Sequence, residues 1–151
     1  MAASAGPAVK SALVAALTTA YAVSDPTVLV TYGHPGPVVV PDIVAVMGVE
    51  AEQDPGPMRV SPATREERLS VSVVLSAFVG GGPEAQRTVT ERAYALLAVL
   101  ETALRADITI GGVCRKAQLT SYVLAEPDDP DTLALGRVAE IAAVVQVETR
   151  I

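Results

Sequence analysis

Histidine and cysteine are the side chains most often used for acid–base, nucleophilic or metal chemistry, and this chain of 151 residues has one of each. His34 lies in TYGHPGPVV, between a glycine and a proline, which is typical of a turn. Cys114 is alone, so an intramolecular disulfide is excluded. One His and one Cys cannot complete a zinc site, and no G-x-S-x-G nucleophile motif is present. We therefore predict no catalytic residue, no metal site and no cofactor.

Two further segments match ligand-binding motifs only in part. EPDDPD, residues 126–131, collects four carboxylates, but it lacks the glycine and the ligand spacing of an EF-hand loop. Gly80–Gly82 precede a helical pattern, but Pro83, Glu84 and Ala85 follow where a phosphate-binding P-loop has Lys and Ser or Thr. We predict a solvated acidic loop for the first segment and a sharp strand-to-helix turn for the second.

The charge balance is acidic, with 11 Lys and Arg against 17 Asp and Glu and a net charge of −6. Because phosphate affinity comes from clustered cations, this balance argues against tight nucleic-acid binding. An acidic wall would instead let DNA pass without being held.

The N-terminal segment AVKSALVAALTTAYAV, residues 8–23, has features of both a signal peptide and an amphipathic helix. Lys10 precedes an apolar run, and Ala20-Tyr21-Ala22 resembles a cleavage site. We favour the helix, because apolar residues recur at helical spacing. No run reaches the roughly 20 residues of a membrane span, so we expect no membrane contact.

Apolar periodicity predicts the remaining elements. Strands are expected at 27–33, 42–53, 68–79, 111–126 and 137–151, with a long helix at 84–107. In the second of these strands, the apolar register that is expected to face the core is Ile43, Ala45, Met47, Val49 and Ala51. The order helix-strand-strand-strand-helix-strand-strand predicts a single α+β domain, residues 1–151. In it an antiparallel sheet of four to five strands packs on two helices, and a long hairpin loop spans 54–67.

The second face of this sheet is expected to bind a protein partner. In the strand RLSVSVVLSAFV one register is wholly apolar, whereas the other mixes Ser with Val and Phe. A face that meets only water shows cleaner polarity. The apolar candidates for a subunit interface are Val74, Phe78, Tyr122, Val138 and Val144. The candidates for an intersubunit salt-bridge station are Arg65, Glu66, Glu67 and Arg68.

The element order and three segments together resemble the tail terminator proteins of long-tailed bacteriophages and phage-like particles. The segments are VKSALVAAL, DPTVLVTYG and RLSVSVVLSAFVGGGPEAQRTVTERAYALLAVLETAL. The resemblance implies a hexameric ring that caps the tail-tube protein, ends its polymerisation and joins the tail to the head connector. It implies a virion protein at the head–tail junction, assembled in the host cytoplasm, with DNA passing through the bore. Candidate acidic residues for the bore are Glu50, Glu52, Glu140 and Glu148.

Three alternatives remain open at the level of the sequence. The first is another head–tail joining or neck protein, which would share the same character. The second is a hotdog-type enzyme that acts on acyl thioesters with His34 and a carboxylate such as Asp42. The third is a secreted module for a small ligand, whose mature chain would start near Val23.

Overall fold

The computed structural model describes residues 4–36, 41–54 and 65–151. The protein is α+β, as predicted. Its elements, in chain order, are α1 (Gly6–Ser24), β1 (Leu29–Tyr32), β2 (Asp42–Asp54), β3 (Glu66–Gly80), α2 (Ala85–Ala106), β4 (Lys116–Ala125), α3 (Pro130–Leu135) and β5 (Gly136–Arg150).

The five strands form one sheet in the order β1-β2-β3-β5-β4. The pairs β2–β3, β3–β5 and β4–β5 are antiparallel, whereas β1 runs parallel to β2. The prediction of a purely antiparallel sheet is therefore wrong for β1. The reason is that no hairpin joins these neighbours: the chain leaves β1 beside Val46 and enters β2 beside the start of β1.

One face of the sheet and the two long helices enclose the core. Leu69, Val71, Val73, Leu75 and Ala77 of β3 are fully buried, which confirms the predicted core register of this strand. The long helix is confirmed as α2, and it packs on β3, β4 and β5. Its buried stripe includes Val89, Ala93, Leu96, Leu97, Leu100 and Leu104. The matching inward residues of β5 are Ala139, Ile141, Ala143, Val145 and Val147.

The first helix packs through Val9, Leu13, Leu17 and Tyr21, four residues at a spacing of four, all of them buried. The hydroxyl of Tyr21 donates to the carbonyl oxygen of Leu96 at 2.5 Å, which ties α1 to α2. By length and composition α1 is nevertheless apolar enough to cross a membrane, with a mean hydropathy of 1.2 over its best window. The prediction that no segment is long enough was therefore too strong.

A β-bulge divides β2 into two registers. Val46 pairs with Val73 and Val49 with Val71, so Met47 and Gly48 together oppose Ser72. Val44 and Val46 are fully buried before the bulge, and Val49 packs against the core after it. The predicted register is therefore wrong for Ile43 and Met47, because the extra residue reverses the alternation. Ala45 is buried, with 3% of its surface exposed, but it pairs with Val74 in the phase of the opposite face.

The connections differ in part from the prediction. Asp54 pairs with Glu66, so β2 and β3 form the expected hairpin, although residues 55–64 of the predicted loop 54–67 lie outside the described residues. The predicted acidic loop contains a short helix, α3. Asp129 caps this helix by accepting a hydrogen bond from the backbone N–H of Thr132 at 3.0 Å.

Candidate functional site

The sheet face opposite α1 and α2 is the candidate functional site, and we call it the open face. Beyond Glu66 at its start, strand alternation and register place six residues of β3 on it, Arg68, Ser70, Ser72, Val74, Ser76 and Phe78. They place six residues of β5 beside them, Val138, Glu140, Ala142, Val144, Gln146 and Glu148. Neither α1 nor α2 packs on this face, since both contribute to the core on the other side.

Four of the five predicted apolar interface residues lie on the open face. Phe78 stands opposite Val138, and Ser72 stands opposite Val144, with Val74 between these two rows. All four apolar side chains are partly exposed, unlike the fully buried Val73 and Val145 next to two of them. The two central strands therefore present an apolar area that no long helix covers.

The fifth, Tyr122, lies on the opposite face, so its predicted position is wrong. Leu119 pairs with Val145 but Ser121 pairs with Val144, which makes Thr120 an extra residue in β4. The bulge turns Tyr122 towards α2, where its ring meets Tyr94 edge-on with centroids 5.7 Å apart. It also turns Val123 onto the open face, with 67% of its surface exposed.

Charged residues form one end of the open face. Glu52, Arg68, Glu148 and Lys116 lie side by side on β2, β3, β5 and β4, and we call them the charged row. Their signs alternate across the sheet, and all four side chains are exposed. Opposite charges on neighbouring strands stabilise a sheet modestly, by about 0.2–1 kcal/mol for each pair.

Beyond the charged row, Glu66 joins two arginines. One of its carboxylate oxygens accepts hydrogen bonds from Arg150 at 2.6 and 2.9 Å, and the other accepts from Arg115 at 3.0 Å. The hydrogen bond from Arg150 is the main reason that the pKa of Glu66 lies below its usual range. Both arginine partners of Glu66 thus belong to the same chain.

The predicted station Arg65–Arg68 is split by the alternation of β3. Arg65 is exposed and donates to the amide oxygen of Gln53 at 3.3 Å. Glu67 points to the core side and is 1% exposed, so it is not available to a partner. Only Glu66 and Arg68 remain on the open face.

Glu67 has a structural role instead. It accepts hydrogen bonds from the backbone N–H of Ala5 at 2.8 Å and from Gln53 Nε2 at 2.9 Å. Burial acts to raise the pKa of Glu67, but the hydrogen bonds from Gln53, Ala5 and Ser4 outweigh it and hold the pKa below its usual value.

All four acidic candidates for the bore lie on the same open face. Glu50 pairs with Ser70, Glu52 with Arg68, Glu140 with Ser76, and Glu148 stands between Arg68 and Lys116. The predicted bore residues and the predicted contact residues therefore interleave on one surface. A surface covered by a partner cannot also line a channel, so the two assignments compete.

The residues with catalytic potential are dispersed or occupied. His34 is exposed, and its Nδ1 accepts from the backbone N–H of Gly36 at 2.9 Å. Asp42 is buried in an ion pair with Arg92, and its Oδ1 has no partner within the described ranges. The Cys114 thiol is buried, and burial raises its pKa. Over the described parts of the chain, no group of His, Cys, Asp and Glu is arranged to hold a metal ion.

The glycine-rich turn is filled by its own chain. The carboxylate of Glu84 accepts a hydrogen bond from the backbone N–H of Gly82 at 3.0 Å, so the donor that a phosphate would need is already occupied. The turn leads directly into α2, as predicted.

Comparison with known proteins assigns no family. The chain matches no protein-family model and no curated protein.

Proposed function

We propose that this protein is a structural assembly protein of a phage tail, a tail terminator whose copies form a hexameric ring. The ring caps the tail tube, ends the polymerisation of the tube protein and binds the head–tail connector. The observation that carries the proposal is the open face, with a partly exposed apolar centre on β3 and β5 and a charged row at one end.

Two physical arguments support a protein contact on this face. Covering the apolar centre stabilises an assembly by about 25 cal/mol for each Å² of apolar surface removed from water. The charged row adds specificity, because opposite charges must meet in register and like charges repel a wrong partner. An apolar centre beside a charged margin is also the usual anatomy of a protein interface.

The same face is a poor site for DNA. Glu50, Glu52, Glu140 and Glu148 outnumber Arg68 and Lys116 on it. In the proposal, these four glutamates belong to the protein contact and do not line the bore of the ring. Their carboxylates balance cations at that contact. DNA crosses the ring without being held, since the net charge of each subunit is −6.

The ring acts through geometry and binding. A head-to-tail contact between subunits closes into a ring when its rotation divides a full turn. One side of the ring binds the last tube ring, and the other side lacks the surface from which the tube would grow. The assembly is predicted in the host cytoplasm and ends at the head–tail junction of the virion.

The test is the assembly of the full chain on tail tubes and its place in the particle. Electron microscopy of isolated tail tubes incubated with the protein should show rings of six copies at the tube ends, each chain being 15.5 kDa. Antibody labelling of purified particles should mark the head–tail junction. A protein that never forms rings on tail tubes and is absent from particles contradicts the proposal, and a label elsewhere in the neck indicates a different joining protein.

A further inference from the structure

The charged row is self-complementary. From β2 to β4 it reads Glu52, Arg68, Glu148 and Lys116, so its signs run minus, plus, minus, plus. When such a row is read backwards, every sign is reversed. A second copy laid over it in the reversed direction therefore meets it with opposite charges at every position.

We propose that two copies of the chain stack their open faces about a twofold axis that runs parallel to the strands, between β3 and β5. This inference rests on the proposed function only in taking the open face as a contact surface. The axis places β3 over β5 of the second copy, and β2 over β4. Arg68 then faces Glu148 of the second copy, and Glu52 faces Lys116 of the second copy.

The same axis matches the rest of the face. Val74 meets Ala142, Phe78 meets Val138, and Ser72 meets Val144, because each of these pairs is in register on β3 and β5. Glu50 meets the amide of Gln118, and Glu140 meets the hydroxyl of Ser76, since these residues also share rows. Among these residues, no carboxylate is set against another carboxylate.

The stacking distance suits these side chains. Two sheets pack about 10 Å apart, with their strands within about 30° of each other. Opposed Arg and Glu side chains span such a gap. Four strands and ten residues of β3 cover roughly 19 by 34 Å, about 650 Å². This area lies towards the lower end of the roughly 600–1,000 Å² that each partner contributes to a standard interface.

Other occupants fit less well. A twofold axis perpendicular to the strands, centred on Val73, would set Arg68 against Phe78 of the second copy and bury a charge on an apolar ring. A polyanion would meet an excess of carboxylates.

The twofold pair hides the apolar centre while the protein is free. In a ring built from head-to-tail contacts, each subunit binds the next through two different surfaces, which a twofold pair does not do. The pair must therefore open when the ring forms, so it is the state of the protein before assembly.

A charge-reversal experiment tests the pair. Glu52 and Lys116 are three strand positions apart in one subunit, so they do not contact each other within the chain. E52K sets lysine against lysine at both ends of the row, and K116E sets carboxylate against carboxylate at the same two places. Each variant alone should self-associate roughly a hundredfold more weakly than the wild type. In an equimolar mixture, pairs of one E52K chain with one K116E chain regain opposite charges at both contacts, so the pair should recover.

Sedimentation velocity of the full chain is the measurement, with circular dichroism as the check of folding. The expected result is twice 15.5 kDa for the wild type and for the mixture, and 15.5 kDa for each variant alone. The matched control is R87E mixed with E91R, an exposed ion pair on α2 away from the open face, which should leave all samples paired. If E52K or K116E alone misfolds, R68E mixed with E148R gives the same reciprocal test.

Three results overturn the inference: a monomeric wild type, single variants that stay paired, or a mixture that stays monomeric. Failure here is distinct from failure of the proposed function. Rings of six at the head–tail junction, with single variants that assemble normally, would refute the pair and leave the terminator proposal standing. If the charge-reversal variants behave as expected but the protein is absent from phage tails, the pair stands and the terminator proposal is refuted.

Discussion

The carboxylate of Glu67 on β3 accepts a hydrogen bond from the backbone N–H of Ala5, 62 positions earlier in the chain, at 2.8 Å. This contact fixes the start of α1 to one end of the central strand of the sheet. A second hydrogen bond, from Gln53 Nε2 at 2.9 Å, joins β2 to the same carboxylate. The side chain is almost completely buried, so these donors, together with a hydrogen bond from the Ser4 side chain, stabilise its charge.

Glu67 should make stability depend on acid pH. Its folded pKa is held below its unfolded value, so the ionised carboxylate contributes stability above about pH 4.3. That contribution is lost as the pH falls through the folded pKa. Glu67→Gln should cost about 1–3 kcal/mol near neutral pH, because the amide presents a donor where donors converge.

Urea unfolding between neutral and acid pH measures both effects, and the variant should lose stability less steeply in acid. Glu91→Gln, on the exposed side of α2, is the control and should change the free energy of unfolding by less than about 0.5 kcal/mol. This role of Glu67 would be contradicted if the free energy of unfolding fell equally steeply in acid for Glu67→Gln and for the wild type.

The ion pair of Asp42 and Arg92 should respond unequally to its two truncations. The Asp42 side chain is 3% exposed, whereas that of Arg92 is 38% exposed. Arg92→Ala leaves a buried carboxylate unpaired and should cost about 3–5 kcal/mol. Asp42→Ala leaves Arg92 without its partner, but this partly exposed guanidinium can turn to water. The loss of stability should therefore be markedly smaller than for Arg92→Ala. Thermal or urea unfolding measures the difference, and equal losses would refute the asymmetry.

Gly136 should not tolerate a methyl group. A Cβ atom there would lie 2.9 Å from Gly80 Cα and 2.9 Å from Phe78 Cε2, with the Val79 carbonyl oxygen also in contact. Gly136→Ala should therefore destabilise the protein by about 1–3 kcal/mol through overpacking. Gly48→Ala is the matched control, since nothing lies within 4 Å of its Cβ position. Equal stability of the two variants would rule out the close approach.

Two neighbouring valines should separate folding from assembly. Val73→Asp puts a charge into the core and should unfold the protein, at a cost above about 3 kcal/mol. Val74→Asp changes the partly exposed open face, so the subunit should fold while its self-association fails. Val144→Asp should behave like Val74→Asp. Circular dichroism and sedimentation distinguish the two results, and normal assembly of Val74→Asp would remove the open face from the contact.

The sequence alone was sufficient for the elements whose periodicity is regular. The stripe on α2 repeats every three to four residues, and β3 and β5 alternate strictly, so their core faces follow from local geometry. The open face followed from the same alternation, because Val74, Phe78, Val138 and Val144 share the phase of Ser and Glu residues.

Tertiary structure decided the features in which one residue changes the phase of a strand. In β2 both registers are apolar, so the local pattern does not distinguish Ile43 and Ala45 from Val44 and Val46, and only the bulge at Met47–Gly48 assigns the core face. In β4 the bulge at Thr120 exchanges Tyr122 and Val123 between faces. The parallel pairing of β1 and the burial of Glu67 under Ala5 depend on contacts between distant segments. Side-chain direction in a strand has a period of two, so each added residue reverses every position beyond it, and only the pairing with the next strand reveals where that happens.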